Sequence, residues 1–195
     1  MESQTYVFFG IAGSGKGTQV KLLMDLLKSK DNKEIIYAYP GFGFRKLIEG
    51  NSYLGKIIKE SVNNGDLQPA FITNSIFGDL ILDLSPDKHL VVDGYPRVID
   101  QAMNFAQVMD FYHREDLKII FIELPKEEAL KRMTLRARPD DTAEGIENRF
   151  KEYEENVVPA MNYLRDEKGY KIYKINGFQS IEDVHKDIVK ALNLE

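Results

Sequence analysis

Residues 10–19, GIAGSGKGTQ, constrain the fold of this chain more than any other stretch. They follow an apolar run, Tyr6-Val7-Phe8-Phe9, and lead into a helical pattern at Val20, Leu23, Met24 and Leu27. The local order is therefore strand, glycine-rich loop, helix. Glycines at 10, 13, 15 and 17 let the backbone curl until several N–H groups point at one spot. The new helix adds the partial positive charge of its amino end, and Lys16 adds a flexible point charge. Read blandly, the segment is a flexible strand-to-helix turn. That reading leaves unexplained why four glycines and a lysine coincide in this context, whereas a cradle for the phosphates of a nucleoside triphosphate needs all of them.

The rest of the chain bounds what surrounds this loop. With 195 residues, 43% of them hydrophobic, it can build one core with small insertions. A net charge of −5 gives no basic footprint for a nucleic-acid partner. No apolar run approaches the ~20 residues of a membrane span, so no membrane partner is expected. The start, MESQTYVFFG, lacks a basic region, a useful apolar stretch and a cleavage site, which makes a soluble cytoplasmic protein the expectation. Cysteine is absent, which excludes disulfides and thiolate metal sites. His89, His113 and His185 lie in unrelated contexts and read as structural or surface residues.

Strand-like runs recur at 35–38, 89–93, 118–124 and 170–175, the central ones almost wholly apolar and the last alternating like an edge strand. Helical patterns fill the gaps, among them 70–84, 99–111, 126–136 and 181–192, with Ser180 as an N-cap. Alternating strands and helices imply a parallel sheet of about five strands wrapped by helices, with ligands at the carboxyl ends of the strands. Two stretches break the alternation. A strandless detour runs from 39 to 84, well placed to close over a ligand, and RARPDDT at 136–142 reads as a turn or a small lid.

Phosphoryl transfer needs alignment, a divalent metal and positive charge around the moving group. Arginines suit the last requirement, and they fall at a strand end, in the detour and near RARPDDT. The third strand ends in Asp93-Gly94-Tyr95-Pro96-Arg97, followed by Gln101. A carboxylate at a buried strand end is either a paired or capping Asp or a holder of magnesium and its waters. Arg132 and Arg136 share one helical face, with Arg138 and Arg149 beyond them. Taken alone these read more readily as a solvated charged helix pair than as a site.

Several of these motifs, in order, resemble the adenylate kinases and their relatives among nucleoside monophosphate kinases. The loop G-x-x-G-x-G-K-G-T-Q, with Gly17 before the hydroxyl of Thr18, is similar to theirs, and so are D-G-Y-P-R-x-x-x-Q and R-x-R-x-D-D-T. The resemblance implies a P-loop NTP hydrolase-like α/β fold in a single domain over 1–195, with a helical monophosphate-binding insertion at 39–68 and a minimal lid at 136–142. It implies that Gly13, Ser14, Gly15, Lys16, Gly17 and Thr18 hold ATP phosphates, with Arg132 at the ATP base, Arg136 at its phosphates and Gln179 near its adenine. For AMP it implies Gly41, Arg45, Asp66, Leu67, Gln68, Gly94, Tyr95 with a cis bond to Pro96, Arg97, Gln101, Arg138 and Arg149, with Gln101 reading the adenine edge. Lys16, Arg97, Arg136, Arg138 and Arg149 would stabilise the transferred phosphoryl, Asp140 and Asp141 would orient the arginines, and Asp93 would hold Mg2+ through water.

The activity implied is reversible Mg-dependent transfer from ATP to AMP, giving two ADP, by a monomer. Where the family has S-T-G-D, this chain has Tyr39-Pro40-Gly41-Phe42. Phe42 and Phe44 read as core anchors of the insertion or as faces for a base. These departures keep two alternatives open, a kinase for UMP, CMP or another monophosphate, and a nucleotide-binding regulatory protein that has lost turnover.

Overall fold

The structure is a computed structural model that describes residues 2–136, 141–166, 168 and 170–195. Five strands, β1 (Thr5–Gly10), β2 (Ile35–Ala38), β3 (His89–Asp93), β4 (Leu117–Glu123) and β5 (Lys171–Asn176), form one parallel sheet in the order β2-β3-β1-β4-β5. The most apolar runs take the middle. Every residue of β1 and β3 is buried, while β5, whose sequence alternates, lies at an edge with half its residues exposed. Because side chains alternate across a strand, Tyr6 and Phe8 pack on one face with α1 (Lys16–Asp31) and α9 (Ile181–Ala191). Val7 and Phe9 pack on the other with α4 (Ala70–Leu80), α5 (Ile99–Phe111) and α8 (Val158–Asp166).

This strand order fixes where a ligand can sit. The chain leaves β1 toward β2 and leaves β3 in the opposite direction, toward β4, so neighbouring connections diverge and open a crevice at the carboxyl ends of β1 and β3. Pairing of Phe8 with Asp93 brings the end of β3 beside the glycine loop that follows β1.

The detour folds as α2 (Pro40–Glu49), α3 (Tyr53–Asn64) and α4, without a strand. Pro40 occupies the first turn of α2, where its missing N–H costs no helical bond. Tyr39, at the N-cap, makes no side-chain cap bond. The helical pattern expected over 70–84 ends earlier, at Leu80. Ile81 and Leu84 are buried in tight turns, and Pro86 bars helix at the residue before it.

Beyond β4, α6 (Lys126–Arg136) and α7 (Ala143–Glu152) flank the short polar segment, and a π-helical turn, Tyr153–Val157, joins α7 to α8. Thr142 and Ser180 cap α7 and α9 by accepting from the N–H groups of Gly145 and Asp183. His89 is structural, as expected. Its ring is fully buried, Nδ1 accepts from the Gln4 N–H at 3.0 Å, and Nε2 faces Asp31 at 3.2 Å. Among the described residues no helix is long and apolar enough to cross a membrane.

Candidate active site

A cleft of about 920 Å³ opens at the carboxyl ends of β1 and β3, between the glycine loop, the insertion and α6–α7. On the loop side it is lined by Gly13, Gly15, Lys16, Gly17 and Thr18. Gly13 and Gly15 adopt φ of 86° and 91°, conformations that cost other residues roughly 1–2 kcal/mol. A side chain at Gly13 would also collide with the Ala129 carbonyl, 2.7 Å from its Cβ position. The result is a curl in which the N–H groups of Gly13, Gly15, Lys16 and Gly17 make no hydrogen bond among the described residues. Those of Lys16 and Gly17 are the orphan donors of a helix start, a kind of group that suits an anion.

Ser14 departs from the expected arrangement. Its N–H is bound to the Ile11 carbonyl at 3.1 Å, and its hydroxyl is buried behind the loop with no hydrogen-bond partner. It supports the curl from within and does not line the cleft. Lys16 Nζ donates to the carbonyls of Gly10 and Ile11. Burial lowers its pKa from 10.5 to about 8; the nearby Asp93 charge opposes the shift, and Arg97 and Arg136 add to it.

Asp93 is 7% exposed and stands at the back of the cleft, where Tyr37 donates to its Oδ2 at 3.2 Å. Burial, followed by the charge and hydrogen bond of Asp93, raises the Tyr37 pKa well above its ordinary value, so the hydroxyl stays a donor. Thr18, across the loop, brings a hydroxyl to the same cleft. An aspartate and an alcohol are the hard oxygen ligands magnesium prefers.

The opposite side carries the residues expected to meet an acceptor. Gly41, Arg45, Asp66, Leu67, Gln68, Gly94, Arg97 and Gln101 all line the cleft. Gln101 is 1% exposed, and its Oε1 accepts from the Arg97 N–H at 2.8 Å. With the oxygen so engaged, Nε2 makes no bond among the described residues and remains a donor. Gln68 is oriented the other way, its Nε2 donating to Ser61 Oγ at 2.9 Å. The Tyr95–Pro96 bond is cis, as the resemblance implied. The Tyr95 ring, however, stacks on Phe77 in the core with centroids 4.2 Å apart, and its hydroxyl bonds Asn74 and Asn104. Tyr95 is 1% exposed and still borders the cleft. Phe44 is half-buried and lines the cleft, but Phe42 is 55% exposed and does not anchor a core.

Arg132, Arg136 and Arg149 complete the rim. Asp141, its side chain 1% exposed, binds Arg136 through both oxygens at 2.7 and 2.9 Å and Arg149 at 2.8 Å, so one carboxylate fixes two guanidiniums. Arg132 is held by Glu128 and by the Gly177 carbonyl. Arg138 and Asp140 lie outside the described residues. Gln179 is not brought to the cleft. Its Nε2 donates to the Asn176 carbonyl and to Asp187, 2.9 and 2.7 Å away, and the turn holds it there.

Sequence reasoning missed the contact between the insertion and α7. Gly65, with φ 81°, meets Gly145 backbone to backbone; a Cβ on Gly65 would lie 2.4 Å from the Gly145 carbonyl. Asn148 bridges the same junction, donating to the Asn64 carbonyl at 3.1 Å and to Asp66 at 2.8 Å. The two glycines were a possible signal, but nothing in the sequence pairs them.

A family model described as adenylate kinase matches residues 8–169. Proteins named adenylate kinase are similar over nearly the whole chain. The one from Thermosipho africanus is 28% identical, covering 95% of this chain and 98% of its own length. The one from Leptospira biflexa is 29% identical with the same coverage, and the one from Azobacteroides pseudotrichonymphae is 32% identical, covering 95% of each. The chain belongs to the adenylate kinase family, a family of phosphotransferases. The Thermosipho alignment runs over 217 positions, more than the 195 residues present here, whereas the Leptospira alignment runs over 190. This chain therefore lacks residues that the Thermosipho protein has.

Proposed function

We propose that this protein is an adenylate kinase that reversibly transfers a phosphoryl group from Mg-ATP to AMP, giving two ADP. The observation that carries the acceptor is Gln101. Its oxygen is held by the Arg97 N–H and its Nε2 is left to donate, which suits a base whose ring nitrogen is an acceptor. Adenine and cytosine qualify, while guanine and uracil present an N–H there and would leave two donors facing each other. Gln68, whose nitrogen is engaged, offers an oxygen to an exocyclic amino group. The cleft of about 920 Å³ has room for two nucleotides. Cytosine shares adenine's edge, so CMP is the competitor that Tyr39 and Pro40 bring forward.

In this reading the loop N–H groups and Lys16 bind the ATP phosphates, and Arg45 and Arg97 grip the monophosphate. Arg136 and Arg149, oriented by Asp141, spread charge off the group in flight together with Arg138. Arg132 borders the ATP base, and residues 39–68 and 136–142 serve as acceptor domain and lid. Asp93 and Thr18 would hold Mg2+, Asp93 through water. When bound, the ion supplies charge neutralisation on the phosphate oxygens. Among the described residues no group of three or more acidic or histidine side chains could hold a metal. That suits an ion carried mainly by its nucleotide and waters. The protein would act as a cytoplasmic monomer.

The test is ADP formation from Mg-ATP with AMP, CMP, dCMP, UMP and GMP in turn, with and without chelator. AMP should give the highest kcat/KM and chelator should abolish turnover. UMP or GMP as the better acceptor would overturn the reading of Gln101, CMP or dCMP would keep that reading and overturn adenine as the base, and no turnover with any acceptor would leave a nucleotide-binding regulator.

A further inference from the structure

The segment that departs most from the family pattern, Tyr39-Pro40-Gly41-Phe42, builds a feature around Arg45. The Arg45 guanidinium carbon lies 4.9 Å from the centre of the Phe42 ring and 5.2 Å from that of Tyr39. The two rings meet edge to face at 5.0 Å, and Tyr39 stacks on Tyr37 at 6.0 Å. Tyr37 in turn bonds Asp93. Gly41 permits this arrangement, because a Cβ there would sit 2.5 Å from the Tyr39 ring. Phe42 is a large apolar side chain left 55% exposed, and its ring meets Arg45 and the two tyrosines. Among the described residues Arg45 has no carboxylate within ion-pair distance, and its one hydrogen bond, at 3.5 Å, is to the Tyr39 hydroxyl.

We propose that Tyr39 and Phe42 are positioning residues that hold the Arg45 guanidinium on aromatic faces for the phosphate of the acceptor nucleotide. An acidic residue at 42, as in the family pattern, would fix the arginine by neutralising part of its charge. A π face fixes it through the ring quadrupole and leaves the whole charge for the phosphate. Phe42 does not line the cleft and acts only through Arg45. The proposal rests on the reading above that Arg45 grips the monophosphate.

The experiment is steady-state kinetics of the full chain, varying the acceptor at saturating Mg-ATP and Mg-ATP at saturating acceptor, for the wild type, Phe42→Leu and Phe42→Tyr. Leucine keeps apolar bulk and removes the π face; tyrosine keeps the face. Phe42→Leu should raise KM for the acceptor about three- to tenfold, as expected for loss of a partly exposed cation–π contact. KM for Mg-ATP should stay within about twofold, and Phe42→Tyr should restore the acceptor KM. An unchanged acceptor KM in Phe42→Leu, an equal rise in both KM values, or failure of Phe42→Tyr to rescue would overturn the proposal. A wild-type protein without phosphoryl transfer would instead overturn the assigned function, before any variant is compared.

Discussion

Raising the pH from 7 to 9 should strip the phosphate loop of its cation. Burial holds Lys16 near a pKa of about 8, so its charged fraction falls through half at that pH. If the triphosphate binds only the charged form, the dissociation constant for Mg-ATP grows by about twofold at pH 8 and about elevenfold at pH 9. Above pH 7.5 the nucleotide itself is fully ionised, so the change belongs to the protein. Calorimetry in buffers of different ionisation enthalpy should show uptake of about half a proton per nucleotide at pH 8.

The same shift acts on the fold with a definite sign. The folded value lies below the unfolded 10.5, so the ligand-free protein carries a penalty of about 3 kcal/mol below pH 8 that is relieved between pH 8 and 10.5. Lys16→Met removes that penalty but also two bonds from a charged donor to loop carbonyls, each worth about 1.5–3 kcal/mol. The two effects offset, so the variant should lose turnover while its Tm stays level or falls by a few degrees, about 2–4 °C for each kcal/mol not offset. A Mg-ATP affinity that is flat to pH 9, without buffer-dependent heat, would refute the reasoning, as would a Lys16→Met protein with the pH response of the wild type.

Asp141→Asn keeps the shape of the side chain but removes the charge shared by Arg136 and Arg149. Urea unfolding should show a loss of about 2 kcal/mol and kcat should drop at least about tenfold, whereas a kcat within twofold of the wild type would mean that Asp141 does not orient them. Gly65→Ala forces a Cβ into the Gly145 carbonyl at positive φ, and thermal unfolding should show a Tm lower by at least about 4 °C; an unchanged Tm would show that the junction yields at no cost. Two adenosines joined by five phosphates should bind at least about a hundredfold more tightly than ATP, and equal affinities would argue against two adjoining nucleotide sites.

The sheet was legible because its central strands are buried on both faces, so Tyr6–Phe9 and 89–93 read as unbroken apolar runs. The phosphate loop was legible because four glycines and a lysine coincide between a strand and a helix, and Gly13 and Gly15 do adopt positive φ. Asp141 as the partner of the arginines came only with the resemblance to the family's lid, because charge and spacing alone read as a solvated helix pair. What escaped depends on contacts between segments distant in sequence. Asp187 and the Asn176 carbonyl claim the Gln179 amide, and no local pattern announces that. Ser14 points inward because the loop curls around it, a consequence of three-dimensional closure. Phe42 reads in sequence as a core residue or a face for a base, and its exposed place beside Arg45 and Tyr39 depends on how the start of α2 packs, which no local pattern announces. The helix ending at Leu80 was overrun because burial of Ile81 and Leu84 continues the apolar period through turns.

The bridge from the insertion to α7 joins two sides of the cleft. Asn148, which ties Asn64 and Asp66 to α7, is the chain neighbour of Arg149, which lines the cleft. The helix that carries Arg149 is thus fastened to the insertion one residue away, and the two cannot part without giving up both amide bonds and the close approach of Gly65 to Gly145. The width of the cleft and the position of this arginine are therefore set together, by two glycines and one amide.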